Sequence, residues 1–129
     1  MKKYSFDQAA EQAGLLFGSL LGRSADKVGY DFIVDQLNTG KSSARGIVKA
    51  MLTSDEFREK FIMNNTPNEL AKALRIALLK EIRPKPDAIK ETAVAFLEND
   101  WRNVIVDLIA SDAYEKAFGE EKIPMIKYS

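Results

Sequence analysis

The chain contains a repeat of itself, and this limits its possible folds more than any other feature. Leu52-Thr53-Ser54-Asp55-Glu56-Phe57-Arg58-Glu59-Lys60-Phe61 aligns with Ile109-Ala110-Ser111-Asp112-Ala113-Tyr114-Glu115-Lys116-Ala117-Phe118 at an offset of 57. Upstream the offset becomes 60, setting Arg23 against Arg83 and Leu37 against Leu97, with Leu20-Leu21 loosely against Leu78-Leu79. The difference falls in the Asn38–Ser43 turn, where a change of loop length costs little. Two copies of one unit, each with an apolar stripe to bury, are stabilised by packing on each other.

The units read as helices. Ser5 with Gln8 forms a capping box before Phe6, Ala9, Ala10, Ala13, Leu16, Phe17, Leu20 and Leu21, which recur in steps of three and four. Gly22 is placed to close that helix in a left-handed conformation. Ser24 is expected to cap a second helix to about Leu37, with Val28, Phe32, Ile33 and Leu37 inward. A third starts at Ser42 or Ser43 and carries Ile47, Val48, Met51 and Leu52. Thr53 with Glu56 reads as a capping box for a short helix bearing Phe57 and Phe61. Thr66-Pro67-Asn68-Glu69 is the strongest start signal, opening a helix with Leu70, Leu74, Ala77, Leu78 and Ile82 on one stripe. Pro84 and Pro86 end it, and Asp87 onward is helical with Ile89, Ala93, Phe96 and Leu97 inward. Asn99 or Asp100 caps a helix holding Trp101, Val104, Ile105, Leu108 and Ile109. Ser111 caps the last one, which stops at Gly119 before an extended tail containing Pro124. No segment alternates as a strand does; Val104-Ile105-Val106 is the one β-like patch, and it lies between helix caps.

The expected architecture is therefore all-α: a single domain over residues 1–129, of about seven to eight helices built from two repeated units with a shared core. Phe57, Phe61, Tyr114 and Phe118 occupy matched positions and should be buried.

Composition narrows the function. The chain has no cysteine and no histidine, so disulfides, thiolate metal sites, cysteine nucleophiles and Ser-His-Asp triads are excluded. Gly14, Gly18, Gly22 and Gly29 fit no phosphate-binding loop. No metal, nucleotide or other cofactor is expected, and no enzyme. Lys plus Arg equals Asp plus Glu at 19 each, and the balance holds within each half. No basic face is indicated for a nucleic-acid backbone. Met1-Lys2-Lys3 leads into Tyr4-Ser5-Phe6-Asp7-Gln8, too polar for an export signal, and no apolar run is long enough to insert in a membrane. The expected location is the cytoplasm.

Ser54, Asp55, Ser111 and Asp112 read as helix caps and first-turn acids. Arg23 and Arg83 follow the first helix of each unit and would bind either helix-end carbonyls or a carboxylate of a partner. Trp101, beside Arg102, is core or an interface anchor. With most large apolar residues assigned to the core, a binding surface would be built from polar groups: Arg23, Tyr30, Arg83, Trp101, Arg102 and the tail ending in Tyr128.

The chain resembles the phycobilisome linker polypeptide domain. The resemblance spans residues 10–124. It rests on Leu20-Leu21-Gly22-Arg23 through Ser54-Asp55-Glu56-Phe57-Arg58-Glu59-Lys60-Phe61. It also rests on the closing run Asp107-Leu108-Ile109-Ala110-Ser111-Asp112-Ala113-Tyr114 with Phe118-Gly119-Glu120 and Ile123-Pro124. The second-half counterpart of the Leu-Gly-Arg turn reads Lys80-Glu81-Ile82-Arg83-Pro84, without the glycine. The resemblance implies an all-α, chromophore-free, non-catalytic domain that binds phycobiliprotein rings of a light-harvesting antenna, associated with the thylakoid, or another multisubunit protein assembly of comparable ring shape. A related class of bacterial helical domains has a similar Leu-Gly-Arg and Ser-x-Glu-Phe pattern. It implies the alternative, a general protein–protein interaction module unconnected to light harvesting.

Overall fold

Ser5 Oγ accepts a hydrogen bond from the Gln8 amide, and Gln8 Oε1 accepts one from the Ser5 amide, so the first helix starts where the capping box places it. The computed structural model describes residues 3–128. α1 (Phe6–Leu16) widens into a π-helical turn over Phe17–Leu21, which buries Phe17, Leu20 and Leu21 together and ends at Gly22, φ +64°. α2 (Lys27–Asn38) is capped by Asp26, whose carboxylate accepts from the Gly29 amide, and not by Ser24 as expected. Arg23 decides the choice: it donates to both the Ser24 carbonyl and the Asp26 carboxylate, fixing Asp26 at the helix start.

α3 (Ala44–Leu52) starts from Ser43. α4 (Asp55–Phe57), extended by a π-helical turn over Arg58–Ile62, starts from Ser54, whose Oγ accepts from the Phe57 amide. Thr53 is not that cap; its hydroxyl donates back to the Lys49 carbonyl and finishes α3. α5 (Pro67–Leu79) has the full Thr66–Glu69 capping box. α6 (Pro86–Glu98), α7 (Trp101–Ile109, capped by Asp100) and α8 (Asp112–Ala117, capped by Ser111) complete eight α-helices among the described residues, and none of those residues is in a strand.

α1 packs on α2 and α5 on α6 as two helical hairpins, while α3 and α7 pack on each other across the junction of the units. Phe57, Phe61, Tyr114 and Phe118 are buried as expected, with Phe57 stacked on Phe61 at 5.2 Å and Tyr114 tilted on Phe118 at 5.0 Å between ring centroids. The five-residue link Thr39–Ser43 faces a two-residue counterpart, Asn99–Asp100, so the length difference between units lies in the turn that the sequence indicates.

Five apolar residues expected inside lie outside. Val28 is 80% and Leu97 72% exposed, and Phe6, Phe32 and Ile82 are exposed as well. In α2 the buried stripe runs Ile33, Val34, Leu37, and Val28 and Phe32 sit on the flank next to it. Ile82 lies beyond the end of α5 in the turn, and Phe6 occupies the first position of α1. α6 buries only Thr92 and Ala93, so Leu97, although it stands next to last in its helix as Leu37 does, does not repeat the buried environment of Leu37.

Candidate functional site

The N-terminal turn of α4 collects charge from both units. Glu56 receives two hydrogen bonds from Arg23, Nε to Oε2 at 2.7 Å and Nη2 to Oε1 at 2.9 Å, and an ion pair from Lys60 one turn later at 3.0 Å. Arg23 is delivered there by the left-handed Gly22 and lies 4.9 Å over the Phe17 ring. The paired guanidinium draws the Glu56 carboxyl down to about 2, and the carboxylates in turn hold Arg23 above the ordinary arginine range. The helix-end carbonyls are taken by other donors: Lys60 Nζ to Leu21 at 2.9 Å, and the Tyr128 hydroxyl to Leu20 at 2.6 Å. Arg23 therefore binds carboxylates, and they are those of its own chain.

Arg102 reaches the same turn from α7. It donates from Nε to the Thr53 carbonyl at 3.0 Å and from Nη2 to Asp55 at 2.8 Å, and its guanidinium stacks 4.5 Å over Trp101. Trp101 is half-buried and packs against the core beneath this cation. The second unit repeats the device. Arg45, the second residue of α3 as Arg102 is of α7, donates from Nη2 to the Ile109 carbonyl at 2.6 Å and from Nη1 to Glu115. Each helix sends an arginine from its first turn to the end of the other, so α3 and α7 pack antiparallel. The sequence reading missed Arg45, although the offset of 57 places it on Arg102.

Three of the five residues proposed from sequence, Arg23, Trp101 and Arg102, thus meet around Ser54-Asp55-Glu56. Tyr30 is half-buried on α2 against the core and shares no side-chain hydrogen bond with this corner among the described residues. Arg83 is exposed in the connection between α5 and α6 and is a member of no ion pair among the described residues. The end of α5 is braced instead by Arg75, which pairs twice with Glu81, at 2.8 and 2.7 Å, and reaches the buried Thr92 hydroxyl at 2.9 Å. Lys80 there adopts the left-handed conformation of Gly22, at φ +58°, so Glu81 and not Arg83 stands where Arg23 does.

The chemistry of these groups is that of fixed charge. Every carboxylate at the α4 corner faces a cation. Burial pushes the phenols of Tyr114 and Tyr128 up to about 12, so both keep their protons near neutrality. No cluster of metal-ligating side chains occurs among the described residues, and none of their helices is long and apolar enough to cross a membrane.

These features define a class: an internally duplicated, all-helical domain whose polar residues brace helix ends. The sequence model of the phycobilisome linker polypeptide family matches residues 30–127, from within α2 to the tail, and the chain belongs to that family. Its members are structural, non-catalytic components of phycobiliprotein assemblies. A comparison with curated proteins gives no match.

Proposed function

We propose that this protein is a non-catalytic assembly factor that binds phycobiliprotein rings and organises them in a light-harvesting antenna, on the cytoplasmic side of the thylakoid. The observation that carries the reading is the family match over residues 30–127, which takes in all or part of every helix but α1. The fixed, mutually neutralised charges of the α4 corner support it, since they suit a rigid docking body better than a site that moves protons. Arg23, Tyr30, Arg83, Trp101 and Arg102 are the proposed contact residues. No cofactor is part of this function.

Sedimentation of the full chain with purified phycobiliprotein trimers tests the reading. Co-sedimentation is expected at low salt and should weaken as salt approaches physiological strength, because rim charges are screened over about 8–10 Å there. Arg83→Glu should weaken it further without unfolding the chain, since Arg83 is exposed. No association at low salt would reject the function, whereas association indifferent to salt would reject only its polar mechanism.

A further inference from the structure

We propose that the groove between α5 and the C-terminal tail is a docking site for an acidic amphipathic helix of a partner protein. The inference rests on the reading of the chain as an assembly protein and assigns that role a surface separate from the α4 corner. The groove encloses about 790 Å³. One wall is a single face of α5, Lys72, Ala73, Ile76 and Ala77 between Glu69 and Lys80, which recurs in steps of three and four. The opposite face of α5, with Leu70, Ala71, Leu74 and Leu78, is already buried in the core. This helix is therefore apolar on two sides, and one of them is uncovered. Phe61 and Phe118 contribute to the groove's apolar lining, and Ile123, Met125 and Ile126 close its far side. Met125 is 69% exposed although the tail is anchored on either side of it, by the buried Pro124 and by the Ile126 amide donating to the Ser19 carbonyl. From Glu69 to Lys80 the face runs about 16 Å, which matches three turns of a docked helix.

Charge selects the occupant. Lys72, Lys80 and Lys127 stand on the groove, and none of the three is in an ion pair among the described residues. The one carboxylate there, Glu69, is engaged with the Thr66 amide of its own capping box. Lys80 is the informative residue. It is the one non-glycine residue with positive φ among those described, at the position where the first unit has Gly22. Glycine would hold that backbone without strain. Lysine instead carries a cation 5.4 Å over the Phe118 ring at the groove. The strain is offset if that cation meets a carboxylate, as on a helix with apolar anchors one turn apart and acidic flanks.

The test uses full-length protein with methionine methyl groups labelled for NMR. Its probe is a synthetic helical peptide of about four turns, with Leu on one stripe and Glu on its flanks. A second peptide has Lys in place of Glu. Saturable movement of the Met125 resonance by the Glu peptide only, with the buried Met51 unmoved, is the expected result. Lys72→Glu and Lys127→Glu should each weaken binding about three- to fivefold, the effect of one partly exposed charge pair. Lys80→Gly should weaken it too while leaving Tm the same or higher, a split that general damage to the fold would not produce. The proposal is overturned if neither peptide moves Met125, if both do so equally, or if Lys80→Gly binds as the unaltered chain does. It is also overturned if Met125 shifts with protein concentration alone, which would make a second copy the occupant, or if anionic vesicles move it as the peptide does. Phycobiliprotein binding that Lys72→Glu and Lys127→Glu together leave at the strength of the unaltered chain would remove the groove and leave the assembly function standing.

Discussion

Glu56 shows what one residue contributes. Its folded pKa, lowered from 4.5 to about 2 chiefly by the Arg23 hydrogen bonds, makes its contribution fully present above the unfolded value and lost as pH falls through the folded one. Glu56→Gln should lower stability by about 1–2 kcal/mol at pH 6, a figure reduced for the solvent that reaches the pair. The gap to the unaltered chain should close between pH 4.5 and about 2 in denaturant titrations; an unchanged gap at the acid end would remove Glu56 as its cause. Gly22→Ala acts through the backbone. An L side chain costs about 1–2 kcal/mol in the left-handed region, and its Cβ would lie 3.0 Å from Tyr128 Cδ2. A loss of about that size in the same titrations is expected. Single residues were read best where the code is local. Ser5, Thr66 and Ser111 cap the helices they precede because a cap needs only the next three amides. Ser24 and Asp26 are both competent caps, and the choice is made by Arg23, which no local rule weighs.

Among elements, α3 and α7 form the joint between the units. Arg102→Ala should cost about 1–3 kcal/mol, because it leaves the Thr53 carbonyl without its donor and uncovers Trp101. Arg45→Ala should cost a similar amount through the Ile109 carbonyl. The two arginines share no hydrogen-bond partner, so the double variant should lose nearly the sum; a strong deviation in a double-mutant cycle would mean that the clamps act as one. The helices themselves were legible from their periodicity. Their endings were less so. The π-helical turns after Leu16 and Phe57 coincide with the buried rings of Phe17 and Phe61, and a period of 3.6 does not encode such a widening. The left-handed end of α5 was hidden because the sequence has Lys80 where a glycine would announce it.

For the whole molecule, the shared core predicts one cooperative transition. Phe61→Ala and Phe118→Ala remove matched buried rings from different units, and each should cost about 3–5 kcal/mol. Helix content, followed by circular dichroism, and Trp101 fluorescence should lose their native values together in each variant; separate midpoints would show units that unfold alone. The all-α fold and its duplication were legible at this scale because caps and apolar stripes repeat at nearly fixed offsets. The α4 corner was half legible: Arg23, Trp101 and Arg102 stood out as polar or aromatic residues near helix ends, whereas their meeting on Asp55 and Glu56 depends on the antiparallel crossing of α3 and α7. The hydrogen bond from Tyr128 to Leu20 has a consequence in time. The first helix is made early, yet its last turn lacks this donor until Tyr128 has been synthesised and has left the ribosome. That corner must therefore close after translation of the tail, and a chain stalled short of it would present an unfinished end of α1 to the quality-control machinery of the cell.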